Sequence, residues 1–197
     1  MARKELIELA RKNTDEEIRR ESVNALAAYP SDLTIKVLGN LANTDQAKSV
    51  RINAINSLYA MGSVKVLSSI VSALYDKENS VVEKALTTLV ELNKKEKRVV
   101  NTLLRNLKQA KSKSKILLTL SRIAIKETDS KIQKKICKEL SYSKNESDKY
   151  VRLEIALALR GYDLTLSNEI MRDLSNDKDQ TIRENAQEYL NEWGIEL

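Results

Sequence analysis

The chain of 197 residues contains no histidine and no phenylalanine, and only one cysteine, one proline and one tryptophan. Without histidine it lacks the usual general acid–base, the commonest metal ligand and the group that activates serine or cysteine nucleophiles. We therefore expect no hydrolase, no zinc enzyme and no di-iron enzyme, and we predict no catalytic residue, no cofactor and no metal. Aromatic residues make up only 4% of the chain, so we also expect few ring-lined pockets and no small-molecule substrate.

Three further absences concern the cellular compartment. The single cysteine, Cys137, has no intramolecular disulfide partner, which favours a reducing environment. The N-terminal segment begins with basic residues but lacks the apolar run of a signal peptide. No stretch approaches the roughly 18 uncharged apolar residues of a transmembrane helix. These features predict a cytoplasmic protein that does not span a membrane.

The chain is rich in a short recurring phrase, in which an apolar residue, usually followed by arginine, precedes a leucine by eight positions. Four copies are clear: Ile18-Arg19…Leu26, Val50-Arg51…Leu58, Val151-Arg152…Leu159 and Ile182-Arg183…Leu190. The copy Val81-Val82…Leu89 lacks the arginine, and another near Leu120 is blurred. A second series of leucines recurs with a similar period: Leu9, Leu41, Leu74, Leu107, Leu140 and Leu174. Repeats at such a period indicate stacked supersecondary units.

Apolar residues around both series recur at helical spacing, which predicts amphipathic helices. The predicted first helices of each pair span 3–12, 32–43, 64–75, 96–109, 129–141 and 164–175. The predicted second helices span 15–29, 47–61, 78–92, 112–126, 148–161 and 179–193. With no long linker between them, we predict one all-α domain over 1–197, an α-solenoid of about six antiparallel helix pairs.

Three phrases begin with an acid at a fixed distance before the arginine, as in Asp15…Arg19, Asp148…Arg152 and Asp179…Arg183. On these residues the whole chain resembles the HEAT-repeat family. Its short period resembles the compact repeats of phycobilisome lyase-type HEAT proteins. The resemblance implies an α–α superhelix with an Asp–Arg ladder at the turns. Tetratricopeptide repeats have a similar length, but their Trp-Leu-Gly-Tyr and Ala-Phe-Pro pattern is absent.

The positive charge is concentrated in the middle of the chain. Residues 94–144 carry 16 basic and 4 acidic side chains. The helical register predicts a basic patch on the fourth and fifth first helices, formed by Arg98, Arg105, Lys108, Lys131, Lys134, Lys135 and Lys138. Such a patch suits a polyanion, whether nucleic-acid backbone, an acidic protein tail or lipid headgroups. A merely solvated helix face would have the same composition, and both interpretations stay open.

A second candidate surface comes from exposed positions on the second helices, which the resemblance places on the concave side where partners usually bind. Its candidate residues are Asn53, Asn56, Lys84 and Thr87. This surface is neutral and rich in hydrogen-bonding groups, which suits a protein or peptide partner. An ordinary solvated face would look the same. Cys137 falls at a core position, where a free cysteine acts as a small apolar side chain.

Some HEAT-like proteins are enzymes, and their activities are the remaining alternatives for the function of this chain. HEAT-like alkylpurine DNA glycosylases line a basic concave groove with Trp, Asp and Arg, whereas this chain has one Trp, at its end. HEAT-type deoxyhypusine hydroxylases need His-Glu iron ligands, which this chain cannot supply. Phycobilisome lyase-type chemistry leaves no strict motif and stays open. The sequence favours a non-enzymatic scaffold or adaptor that binds a protein partner within a larger assembly. The alternative is a protein that grips nucleic-acid phosphates through residues 94–144.

Overall fold

The computed structural model of the protein describes residues 2–93, 98–109 and 113–195. Within those residues the chain forms twelve α-helices and two short 3-10 helices, and no β-strand. The first six helices are α1 (Ala2–Lys12), α2 (Glu16–Leu26), α3 (Asp32–Thr44), α4 (Lys48–Met61), α5 (Leu67–Ser72) and α6 (Asn79–Asn93). The others are α7 (Arg98–Gln109), α8 (Ser114–Lys126), α9 (Ser130–Ser141), α10 (Lys149–Leu159), α11 (Leu164–Leu174) and α12 (Gln180–Glu192). The predicted all-α, α-solenoid fold class is confirmed.

The helix boundaries agree with the predicted ones to within a few residues, except that the third first helix is broken. There α5 is flanked by 3-10 turns at Val64–Val66 and Ala73–Tyr75. This stretch is rich in serine and β-branched residues, which have low helix propensity. The break therefore follows from local sequence, although the apolar periodicity alone did not reveal it.

Helix ends are set by local capping groups. Asp15 is the N-cap of α2 and accepts a hydrogen bond from the Glu17 amide. Asp129 caps α9 in the same way and accepts from the amides of Lys131 and Ile132. At the end of α4, Gly62 adopts a left-handed conformation with φ of 62°. Only glycine enters that region without strain from a Cβ atom.

The chain divides into two compact units, residues 1–103 and 104–197, and α7 contributes residues to both. In the first unit α1 packs on α2 and α3 on α4, while α2, α4 and α6 contact one another in succession. In the second unit α10 contacts α8, α9, α11 and α12. Each unit thus buries the apolar faces of its helix pairs by stacking neighbouring second helices. A single domain over 1–197 stays a prediction.

The structure resolves the blurred fourth phrase. Counted from the start of α8, it is Ile116-Leu117…Ala124, and all three side chains are buried. Leu120 lies four residues after the start of this phrase, at the position that Ala54 has in the second pair. Ala124 lies eight residues after the start, where the other phrases have leucine. A large and a small residue have therefore exchanged places one helical turn apart. Such an exchange changes the shape of the core while conserving its total volume, which close-packed interiors tolerate.

Candidate interaction surfaces

The phrase arginines join one helix pair to the next at the turns. The Nε and Nη2 groups of Arg19 each donate a hydrogen bond of 3.0 Å to the carboxylate of Asp45 in the following pair. Its Nη1 group donates to the carbonyl oxygens of Asn13 and Thr14, at 3.0 and 3.1 Å. The Arg19 and Asp45 side chains are both 5% exposed. One guanidinium group therefore fixes its own turn and anchors the next pair.

Arg51 repeats this arrangement one pair later. It binds the carboxylate of Asp76 at 2.7 and 2.9 Å and the carbonyl oxygens of Asp45 and Gln46 at 2.7 and 3.2 Å. Bidentate arginine–carboxylate pairs are among the strongest and most directional hydrogen bonds in proteins. We call Arg19, Asp45, Arg51 and Asp76 the arginine ladder.

The acids in this ladder are not the ones that the motif suggested. Asp15, Asp148 and Asp179, which begin the recurring phrases, instead accept hydrogen bonds from backbone amides at the starts of α2, α10 and α12. Asp45 lies six residues before Arg51, and Asp76 lies six residues before Val82, which stands where the next phrase would have its arginine. The expected Asp–Arg ladder exists, but its acid comes from the following repeat, and that pairing requires the three-dimensional stack.

The arginine ladder ends where the arginine slot becomes apolar, at buried Val82 and Leu117. In the second unit Arg152 donates to the carbonyl oxygen of Glu146 at 2.9 Å. Its Nε atom is buried and has no hydrogen-bond partner in the described part of the chain. Asp177, the acid in the equivalent position, is bound instead by Lys149 at 3.4 Å. The first unit is therefore the more regular of the two.

The predicted second-helix surface assembles in the first unit, because α2, α4 and α6 are packed neighbours. We call the surface formed by Asn24, Asn53, Asn56, Lys84 and Thr87 the amide face. Asn24 and Thr87 are exposed, and the other three are half-buried. Within the residues that the structure describes, no hydrogen bond engages the side-chain amides of Asn53 and Asn56.

A groove lies along the edge of the amide face, between α4 and α6. It has a volume of about 240 Å³ and is lined by Tyr59, Lys84, Thr87, Thr88 and Glu91. The lining combines a ring, two hydroxyl groups and charges of both signs. The structure therefore places the predicted residues Lys84 and Thr87 together at a small polar groove, next to the helix that carries Asn53 and Asn56.

All seven residues of the predicted basic patch are exposed, but only part of the patch is brought together on one helix. The four lysines of α9 are Lys131, Lys134, Lys135 and Lys138, and we call them the basic stripe. The opposite side of α9 is buried through Ile136, Cys137 and Leu140.

The other three predicted residues, Arg98, Arg105 and Lys108, lie on α7. Arg98 belongs to the first unit, whereas Arg105 and Lys108 belong to the second. A merged patch across α7 and α9 stays a prediction.

Residues 3–91 match the sequence model of the family described as HEAT repeats. This part of the chain is therefore similar to HEAT repeats. The predicted HEAT-repeat resemblance is confirmed, and the finer likeness to phycobilisome lyase-type repeats stays a prediction. No curated protein matches the chain.

A solved structure has a similar fold over nearly the full length of the chain. The crystal structure of an engineered protein studied by the Northeast Structural Genomics Consortium covers 99% of this chain and 98% of its own, at 19% sequence identity and a TM-score of 0.50. At that identity the similarity concerns the fold alone.

The sequence did not predict one further groove in the first unit. It lies between α3 and residues 64–75, has a volume of about 800 Å³ and includes Gly39, Asn43 and Ser69 in its lining. The Asn43 amide donates to the carbonyl oxygens of Gly39 and Ser69, at 2.7 and 3.2 Å. The glycine in the middle of α3, Gly39, was the available signal in the sequence, because glycine allows a close approach of helices.

Cys137 is the single cysteine of the chain and is fully buried, as predicted. Burial raises the pKa of its thiol to about 11. Its Sγ atom lies 3.5 Å from the carbonyl oxygen of Ala158. Among the described residues, no three His, Cys, Asp or Glu side chains are grouped as metal ligands would be. No described helix is both long and apolar enough to cross a bilayer.

Proposed function

We propose that the chain is a cytoplasmic, non-enzymatic HEAT-repeat scaffold that binds a protein partner through the amide face, as part of a larger assembly. HEAT repeats are generally protein-interaction scaffolds. The observation that carries this proposal is the pair of half-buried side-chain amides, Asn53 and Asn56, without a hydrogen-bond partner in the described structure.

An amide group can donate and accept at the same time, as a peptide backbone does. The amide atoms of Asn53 and Asn56 are not among the buried unpaired polar atoms of the described residues and so remain accessible to water, and a partner's main chain would replace that water at a modest net gain in free energy. Asn53 and Asn56 lie one helical turn apart on α4 and so present two such groups side by side. This arrangement supports recognition of a protein or peptide main chain.

The groove beside Lys84 and Thr87 points to the same class of partner. Its volume of about 240 Å³ is below the range of roughly 300–1,000 Å³ that is typical of small-molecule pockets. It can accept one side chain of a bound protein, and Lys84 and Glu91 supply charges that would orient that side chain. This size supports a protein partner over a small-molecule substrate.

The test is affinity capture from the native cell with wild-type protein and with the double variant Asn53→Leu, Asn56→Leu. Leucine matches asparagine roughly in size and favours the helix, so the fold is retained. We expect a partner that wild type retains to bind about tenfold more weakly, as the loss of one or two hydrogen bonds implies. Asn40→Leu on α3, an exposed asparagine of the same unit, is the matched control. Equal capture by all three proteins would contradict the proposal.

A second candidate function is nucleic-acid binding, in which the basic patch defined by Arg98, Arg105, Lys108 and the basic stripe grips the phosphate backbone. The supporting observation is that Lys131, Lys134 and Lys138 form no ion pair with a described residue. Unpaired lysines release counterions when they bind phosphates, so affinity would fall steeply with salt. A binding series at increasing salt tests this, and absence of binding at low salt would contradict it.

A further inference from the structure

We propose that the basic stripe and Tyr142 together bind single-stranded nucleic acid, with the lysines contacting phosphates and the tyrosine ring stacking on a base. This inference rests on the second candidate function and specifies the type of nucleic acid. Its starting point is an aromatic side chain that the helical register places on the same line as the lysines.

Tyr142 follows α9 directly, four residues after Lys138 and eight after Lys134. Its backbone has φ of −74° and ψ of −11°, in the right-handed helical region. Residues spaced by four lie on one face of a helix, so the ring continues the basic stripe. The tyrosine side chain is 73% exposed. An exposed ring of that extent makes few contacts with its own protein and is available to a ligand.

The acidic groups near the basic stripe already have partners of their own. Asp129 accepts hydrogen bonds from the Lys131 and Ile132 amides, and Glu127 accepts one from the Asp129 amide. On α11, Glu169 binds Lys144 at 2.8 Å. Glu139 is the one acid within α9 and lies at the edge of the basic stripe, beside Lys135. The charge of Lys131, Lys134 and Lys138 is therefore left for an anion from solution.

The exposed ring of Tyr142 favours nucleic acid over an acidic protein tail as the ligand of the basic stripe. A carboxylate-rich peptide would use the lysines but has no need of an exposed ring, whereas every nucleobase presents a face that stacks on an aromatic side chain. In a duplex those faces are covered by neighbouring base pairs, so only a single strand can use Tyr142. Lysines contact phosphates without reading sequence, which predicts little sequence preference.

The dimensions suit a short segment of single strand. Lys131 and Lys138 are seven residues apart, which corresponds to about 10 Å along a helix axis. Tyr142 lies about 6 Å further along the same axis. A strand of about 4 nucleotides, at the lower end of the range for single-strand sites, would therefore span the basic stripe and reach the ring.

The experiment measures fluorescence anisotropy of a labelled dT oligomer of about 12 nucleotides, a duplex of equal length and a labelled poly-glutamate peptide, at low salt. We expect the dT oligomer to bind more tightly than the duplex or the peptide. Tyr142→Ala should weaken dT binding about tenfold, while Tyr142→Phe keeps the affinity because the ring is retained. Tyr162→Ala, at another exposed tyrosine of the same unit, is the matched control and should bind like wild type.

Three results would overturn the inference, and they can be told apart. Equal binding of dT and duplex, unchanged by Tyr142→Ala, removes the stacking role and leaves phosphate binding standing. No binding of either nucleic acid at low salt removes the nucleic-acid function as well. Tighter binding of poly-glutamate than of dT assigns the basic stripe to an acidic protein instead. Lys134→Glu with Lys138→Glu should abolish dT binding in the supported case, with helicity by circular dichroism as the check on folding.

Discussion

The guanidinium group of Arg51 donates two hydrogen bonds, of 2.7 and 2.9 Å, to the carboxylate of Asp76 in the next helix pair. Both side chains are almost fully buried, at 3% and 6% exposure. Each charge is therefore compensated mainly by the other. Buried pairs of this kind add modest net stability when complete but are costly to break, because the remaining charge has no solvent to stabilise it.

Removing one partner should therefore destabilise the first unit strongly. We expect Arg51→Met to lower the free energy of unfolding by about 3–5 kcal/mol, as measured by urea denaturation. Arg51→Met combined with Asp76→Leu should recover much of that loss, because neither charge is then left unpaired. Arg11→Met, at an exposed arginine of α1 in the same unit, is the control and should change little. A double variant no more stable than Arg51→Met alone would contradict this account.

The same pair predicts how that loss depends on pH. Burial raises the pKa of Asp76, but hydrogen bonds from Arg51 and from the Glu78 amide outweigh burial, so the pKa is lowered overall. A carboxyl group whose pKa is lowered by folding stabilises the folded state fully at pH values above its unfolded-state pKa, which is about 4. That stabilisation is lost as the pH falls through the lowered pKa of the folded state.

We therefore expect the stability gap between wild type and Arg51→Met to be largest near neutral pH and to shrink as acid protonates Asp76. Urea denaturation of both proteins at several pH values between about 2.5 and 7 measures this gap. A gap that stays constant across that range would show that Asp76 is not the origin of the effect.

Gly39 predicts a steric effect where α3 meets α5. A Cβ atom at this position would lie 2.3 Å from the Ser69 Oγ atom and 3.1 Å from its Cβ atom. Alanine normally gains about 1 kcal/mol over glycine in a helix, but overpacking costs about 1–3 kcal/mol. We expect Gly39→Ala to lower the melting temperature and Gly39→Ala with Ser69→Ala to recover part of it. At Gly161 no atom lies within 4 Å of an added Cβ, so Gly161→Ala should not destabilise through a clash.

Cys137 should be unreactive in the folded protein. Its thiol is fully buried and burial raises its pKa to about 11, so the thiolate that reacts with disulfide reagents is scarce near neutral pH. We expect modification by a colorimetric disulfide reagent at pH 8 to be slow in buffer and complete in denaturant. Rapid reaction without denaturant would place the thiol outside the core.

The single tryptophan allows a test of the predicted single domain. Trp193 lies beneath the Arg160 guanidinium, 4.4 Å from Cζ to the ring centroid, and 6.2 Å from the Tyr189 ring. Its fluorescence therefore reports on the second unit, whereas circular dichroism reports on all helices. Because α7 runs without a break past residue 103, we expect the two signals to change at the same urea concentration. Separate transitions would show two domains that unfold independently.

Much of the fold could be predicted because helical periodicity and end signals are local properties of the sequence. Leu74 and Leu107 of the second leucine series and Leu26 and Leu58 of the recurring phrases are buried, whereas Leu9 on α1 is 40% exposed. Gly62 ends α4 in a left-handed conformation. The candidate residues on the amide face could also be placed, since their register follows from the same period.

The sequence by itself determined the all-α repeat, its helix boundaries and which side chains face the core or the solvent, because these depend on spacing along one helix. Only the tertiary structure decided that Arg19 and Arg51 take their acids from the following pair, and that Gly39 meets Ser69. It also showed that Asn53 and Asn56 are half-buried and form no hydrogen bond with another described residue. These relationships join residues on different helices, and the distances between helices are set by the packing of whole side chains rather than by any local period.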